Sequence, residues 1–175
     1  SSNPNLLQAN LSPTSNKSLV MNIANFGSMT FKLFDDLAPR TTQHWETIVG
    51  NNELSNTKFY RIAKSGASDF VIQGGRNGVP SSLGRFDDEF NTNLQFVSTG
   101  LLAMAKSTDD TNDAEFFVTG DSTRFLDFQH SIFGVLTDGE EVRQAIQHSR
   151  ASGDGPPPSD IVITNMRSEE HTSEL

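Results

Sequence analysis

The 175 residues contain no cysteine, which excludes disulfides, thiolate metal ligands and a cysteine nucleophile. That absence is compatible with the cytoplasm and with export alike. No apolar run is long enough to cross a bilayer, and no charged-then-apolar leader opens the sequence. Basic stretches are missing too. The 13 Lys and Arg stand against 22 Asp and Glu, for a formal net charge of -9. Phosphate backbones and anionic membranes both need a basic face, so neither a nucleic acid nor a membrane is an expected partner.

Several catalytic patterns are also absent. There is no G-x-S-x-G elbow for a serine nucleophile and no H-E-x-x-H pair, and His44, His130 and His148 show no ligand spacing. The acidic run Asp109-Asp110-Thr111-Asn112-Asp113 fails as a calcium loop, because Ala114 stands at its sixth position and Gly120 at its twelfth. Gly74-Gly75-Arg76-Asn77-Gly78 lacks the spacing and the lysine of a phosphate-binding loop, so it reads as a turn. No metal or cofactor is expected.

What is present fits one domain with a sizeable core. Residues 1–17, rich in Asn, Ser and Pro, read as a loose N-terminal arm. The last nine, Arg167-Ser-Glu-Glu-His-Thr-Ser-Glu-Leu175, read as a translated sequencing adapter, which places the domain at 18–166 and a non-native tail at 167–175. Between them, alternation predicts strands over Leu19–Phe26, Ser28–Phe34, Phe59–Ala63, Phe70–Ile72, Gly100–Ala105, Glu115–Thr119, Ser131–Leu136 and Ile161–Thr164. Helical spacing predicts one helix from Pro39 to Gly50, with the lone Trp45 in the core, and a second over Glu140–Ser149 with Val142, Ala145 and Ile146 inward. About eight short strands and only two helices describe an all-β chain closed into an antiparallel barrel.

The stretch Phe59–Gly75 holds the anomaly. Arg61 lies within an apolar strand, where a charge requires a partner or a solvent-lined cleft. Gln73, able to donate and accept, follows the next apolar piece. Together they describe a polar wall beside an apolar floor. Further along, Ala105, Glu115, Phe117, Phe125, Leu126 and His130 extend the set of apolar residues with a few polar members.

In order, seven islands carry a resemblance: Phe59-Tyr-Arg61, Phe70-Val-Ile-Gln-Gly-Gly75, Phe86-Asp-Asp-Glu-Phe90, Gly100-Leu-Leu-Ala-Met-Ala105, Glu115-Phe-Phe117, Phe125-Leu-Asp127 and His130-Ser-Ile-Phe-Gly134. From roughly Leu19 to Met166 the chain resembles the cyclophilins, peptidyl-prolyl cis-trans isomerases with an eight-stranded barrel capped by two helices. The resemblance implies that Arg61 is the catalytic arginine. It implies that Phe70, Val71, Phe117 and Leu126 line a proline pocket, with Gln73 buttressing the arginine and His130 on the rim. Ala105 and Lys106 join the substrate-binding set, Lys106 standing where most members have Asn. Phe125 stands where many have a Trp that donates to cyclosporin-type ligands, so weak cyclosporin binding is expected.

Two departures bear on rate. Lys64–Asp69 looks like an insertion that lengthens the loop beside the pocket. Glu115 replaces the usual Gln and is expected near Arg61, where a carboxylate orients the guanidinium or draws it away. The expected function is isomerisation of X-Pro bonds in proline-containing peptides and in unfolded or loop segments of proteins, by a monomer and at a reduced rate. The alternative is a proline-peptide binding scaffold or chaperone module with weak or no turnover.

Overall fold

The computed structural model describes residues 17–170. The expected loose arm and the end of the expected tail, residues 1–16 and 171–175, lie outside the described residues. Among the described residues nine strands form, in order, β1 (Lys17–Ile23), β2 (Gly27–Leu33), β3 (Thr57–Ser65), β4 (Ser68–Gly75), β5 (Leu101–Met104), β6 (Glu115–Thr119), β7 (Ile132–Asp138), β8 (Asp154–Gly155) and β9 (Val162–Glu170). Helix α1 is Pro39–Gly50, helix α2 is Glu140–Gln147, and a single 3-10 turn covers Arg124–Leu126.

The sheet order runs β4-β6-β5-β7-β2-β1-β9-β3, and β3 pairs back onto β4. Eight antiparallel strands therefore close a barrel, and the two-residue β8 is added on the outside of β3. Closure leaves no long unpaired edge among these eight.

The barrel is filled from the faces that the alternation marks. Met29, Phe31 and Leu33 of β2 are buried, as are Phe59 and Ile62 of β3. Trp45 of α1 is wholly buried, stacked on Phe133 at 5.3 Å and edge-on to Phe116 at 5.8 Å, with its Nε1–H donating to Met104 Sδ at 2.8 Å. Each such side chain contributes roughly 2–3 kcal/mol by burial. An exposed ion pair such as Lys58–Asp160 contributes at most about 1 kcal/mol. The apolar interior, not the surface charge pattern, dominates stability.

Helix α1 begins with Pro39, as the sequence predicts, but it has no side-chain cap of its own. Glu89 supplies one from a distant loop. Its carboxylate accepts from the N–H groups of Arg40 (3.1 Å) and Thr41 (2.8 Å) and from the Thr41 hydroxyl (2.8 Å). These are donors that a helix start leaves without intrahelical partners. Asp113 performs a similar tethering role, accepting from Ser81 N–H at 2.8 Å and facing His44 Nε2 at 3.1 Å. Ser81, Asp113 and His44 have the carboxylate in the middle, so no imidazole reaches the hydroxyl to act as its base. The group holds a loop onto α1.

Three local expectations change. Lys64–Asp69 is not a long loop, because β3 and β4 continue through it and turn in two residues, with Ser65 paired to Ser68 and Gly66 in a left-handed conformation. Lys64 and Asp69 face each other across the ladder, 3.7 Å apart as an ion pair. On α2, Ala145 is exposed, and Arg143 and Gln147 are buried beside Val142 and Ile146. Their polar ends have partners: Arg143 meets Glu140 at 2.7 Å and Asp69 at 3.6 Å, and Gln147 Nε2 donates to Ala63 O at 2.9 Å. Finally, β9 continues past 166 to Glu170, pairing Lys17–Val20 with 167–170. Arg167, Ser168 and Glu170 are exposed there. Backbone pairing of this kind is indifferent to which side chains point outward.

Gly75 is where the wall cannot take a side chain. Its φ is +116°, and a Cβ would collide with the carbonyl oxygen of Ala114, the residue just before the paired strand β6. Gly75→Ala is expected to lower the unfolding free energy by about 3 kcal/mol in urea denaturation. Gly50→Ala, where a Cβ meets nothing within 4 Å, should stabilise by about 0.5–1 kcal/mol.

Candidate active site

The β3–β4 register sets Arg61 opposite Gln73. Arg61 Nη1 donates to Gln73 Oε1 at 2.9 Å, and Gln73 Nε2 donates to Tyr60 Oη at 2.9 Å. The Tyr60 hydroxyl in turn donates to Glu115 Oε1, whose other oxygen accepts from Gly78 N–H at 3.0 Å. The chain has one consistent direction. With its proton given to Glu115, Tyr60 can only accept from Gln73, so the amide oxygen must face the guanidinium. Burial, reinforced by the neighbouring carboxylate, pushes the Tyr60 phenol well up, so it stays protonated through the physiological range.

Glu115 is therefore not the ion-pair partner of Arg61. In the β4–β6 register it lies opposite Gly75, whereas Gln73 faces Phe117, and this offset carries the carboxylate to Tyr60. The partner is Asp154 of β8. Arg61 Nε donates to Asp154 Oδ1 at 2.9 Å and Nη2 to Oδ2 at 2.8 Å. This side-on fork pushes the guanidinium pKa further up and holds the Asp154 carboxyl below the usual range. Nothing in sequence flagged Asp154 beyond an acid between two glycines in a loop.

Next to Arg61 and Gln73 lies a cavity of about 280 Å³. Phe70, Val71, Phe117 and Leu126 form its apolar side, and Ala105, Lys106 and His130 complete it. The Phe117 ring is stacked on Phe96 at 5.8 Å and meets His130 edge-on at 5.2 Å. His130 Nδ1 lies 2.9 Å from Met104 O, and a carbonyl only accepts, so the proton sits on Nδ1 and Nε2 is left as an acceptor. Burial lowers the His130 pKa, leaving the ring neutral at pH 7.

Two predicted site residues stand apart. Phe125 is 67% exposed and does not line the cavity. It stacks on Phe70 at 5.7 Å and so covers the outer side of a lining residue. Glu115 lines an adjoining cavity of about 380 Å³ that shares Gln73, Ala105 and Lys106 with the first. Lys106 borders both, yet its charge is matched elsewhere: Nζ lies 2.7 Å from Asp88 and 3.3 Å from Asp109, with the side chain only 5% exposed. It ties the loop after β5 to the loop before it.

The arrangement offers a fixed guanidinium beside an apolar floor, open to solvent, sized for a small ring. A family model for cyclophilin type peptidyl-prolyl cis-trans isomerases matches residues 18–168. The human protein named peptidyl-prolyl cis-trans isomerase-like 1 is 32% identical over 145 residues, covering 79% of this chain and 85% of its own length. A putative peptidyl-prolyl cis-trans isomerase of Staphylococcus aureus is 31% identical, covering 83% and 89%. Among solved structures, a Cryptosporidium parvum cyclophilin type isomerase superposes with a TM-score of 0.79 at 25% identity, covering 89% of this chain and 99% of that one.

The hydrogen-bond chain yields a ranking of variants. Tyr60→Phe removes the acceptor that holds the Gln73 amide, and kcat/KM is expected to fall roughly fivefold, the equivalent of one buried hydrogen bond. Glu115→Gln keeps an oxygen for the Tyr60 proton and should change the rate by less than about twofold. A protease-free isomerisation assay separates the two. A larger loss in Glu115→Gln than in Tyr60→Phe would contradict the chain as drawn.

Proposed function

The chain belongs to the cyclophilin-type peptidyl-prolyl cis-trans isomerase family, and from that membership we propose that Arg61 is the group that lowers the barrier to rotation about the X-Pro bond. The activity is peptidyl-prolyl isomerisation and the substrates are proline-containing peptides. Roles in protein folding are general for the family. The Cryptosporidium parvum relative solved in the presence of the dipeptide Ala-Pro, 27% identical with a TM-score of 0.77, supports a proline ring as the occupant of the 280 Å³ cavity.

Amide resonance opposes the rotation with a barrier of about 18–20 kcal/mol. Uncatalysed interconversion takes roughly tens to hundreds of seconds. Twisting the bond frees the prolyl nitrogen lone pair, which the planar amide holds in conjugation. A donor beside that nitrogen therefore binds the twisted state better than either planar state, and each ~1.4 kcal/mol of difference is about tenfold in rate. Arg61 is that donor. Phe70, Phe117 and Leu126 hold the ring while the acyl side turns, and Gln73 keeps the guanidinium from following it. No bond is made or broken, so the work is positioning and electrostatics.

The observation that carries this reading is one cavity in which a fixed guanidinium meets the apolar side chains of Phe70, Val71, Phe117 and Leu126. Arg61→Ala should lower kcat/KM for an X-Pro tetrapeptide at least about a hundredfold, the usual loss for one transition-state donor. A folded variant with wild-type rate would dismiss Arg61.

Phe125 bears on inhibitors. It offers no N–H to a cyclosporin-type ligand, and its exposed ring leaves room to enlarge. Phe125→Trp is expected to tighten cyclosporin binding by roughly tenfold, one hydrogen bond's worth, in a calorimetric titration. Unchanged affinity would mean that the indole position does not control the ligand.

A further inference from the structure

Strand β8 is an element without a packing purpose. From Ala151 to Asp160 no residue is buried, so the segment adds no side chain to the core. It is nonetheless held in place from two sides. Asp154 and Gly155 pair with Ala63 and Ile62 of β3, immediately beyond Arg61. Arg150 braces the outer side, with Nη1 donating to Pro156 O at 3.2 Å and Nη2 to Asp154 O at 3.4 Å. The brace sits so close that a Cβ at Gly155 would lie 3.1 Å from Arg150 Nη1, and Pro156, Pro157 and Pro158 stiffen the chain that follows. Two side chains of this segment reach the barrel, Asp160 to Lys58 as an exposed pair and Asp154 to Arg61, and only the Asp154 carboxylate reaches the site.

We propose that Asp154 is a positioning residue for the isomerisation, a carboxylate that holds the Arg61 guanidinium in its working plane. The proposal rests on the role given to Arg61 above. A guanidinium has five N–H donors in a rigid fork. Asp154 takes Nε–H and one Nη2–H, and Gln73 takes one Nη1–H. One N–H on each terminal nitrogen remains for a substrate. With Gln73 alone the group would pivot about a single hydrogen bond, since the arginine side chain is still 37% exposed. The second, two-pronged contact removes that pivot before substrate arrives, so the ordering cost is not charged to the transition state. Asp154 need not touch the peptide to do this.

The test compares wild type, Arg61→Ala, Asp154→Asn, Asp154→Ala and Asp160→Asn in a protease-free assay with an X-Pro tetrapeptide, after thermal melts establish that each is folded. Asp160→Asn removes the same charge from the same loop at an exposed pair with Lys58. Asp154→Asn and Asp154→Ala should both lower kcat, by roughly tenfold or more, with KM within about twofold, as the two-pronged clasp on the guanidinium is weakened or removed and the loss is felt after binding. Asp160→Asn should match wild type. The second readout is the Arg61 Nε–H resonance. It should be protected from exchange in wild type and in Asp160→Asn, and rapidly exchanging in both Asp154 variants. Wild-type or raised kcat in the Asp154 variants, with Arg61→Ala impaired, would overturn the proposal and leave the role of Arg61 standing. An unimpaired Arg61→Ala would remove the reading beneath it. Loss of rate with the Arg61 resonance still protected would also count against Asp154, since the guanidinium would then be held by something else.

Discussion

Everything about the site depends on keeping one guanidinium half-buried on the wall of an apolar barrel. Water cannot satisfy its donors on that side, and a charge left without partners there costs more than any single packing contact returns. The fold meets the requirement with two opposite kinds of group, a neutral amide from the neighbouring strand β4 and a carboxylate from the short, braced strand β8 at the outer edge of β3. Their geometry matters as much as their charge, because a fork clasped at Nε and Nη2 and touched at Nη1 has no free rotation. The donors that remain are aimed without further cost.

Long segments outside the sheet are handled by the same principle applied to carboxylates. The chain from 76 to 100 contains no strand, yet Gly78, Val79, Pro80, Gly84 and Arg85 line one side of the 380 Å³ cavity that adjoins the one beside Arg61. Glu89 fastens it to the start of α1, Asp88 to Lys106, and Asp113 fastens the region of Ser81. Each carboxylate accepts from several donors at once, which is what an ionised oxygen pair does well and a hydroxyl does poorly. The many acids of this chain are thus in part internal fasteners. They explain how an acidic protein holds a shallow, open site without a second layer of structure above it.

The strands were legible because half-buried strands must alternate, as β2 does, and buried ones read as short apolar runs, as Phe70–Ile72 and Leu101–Met104 do; the helices were legible from Pro39, the spacing around Trp45 and the spacing of Val142 and Ile146. Arg61 stood out because a cation in an apolar strand is costly. Phe117, Leu126 and His130 could be placed with it only through the ordered resemblance, since they come from separate elements. Lys64–Asp69 misled because four polar residues around a glycine look like a loop, while Lys64 and Asp69 in fact face each other across a continued ladder. Ala145 misled on α2 because an apolar residue was assumed to face inward, when Arg143 and Gln147 had polar partners waiting on β4 and β3.

By itself the amino-acid sequence determined the all-β barrel, through periodicity and turn chemistry, and singled out Arg61 as a cation that cannot sit in an apolar strand without a reason; the family followed from the ordered resemblance of seven islands. The tertiary structure decided which acid serves that cation. Glu115 and Asp154 are both carboxylates, and only the register of β6 on β4 and the docking of β8 on β3 send the first to Tyr60 and the second to Arg61. Arg61 and Asp154 are 93 residues apart, and a contact at that separation is written in how the strands close on one another, not in either neighbourhood of the chain.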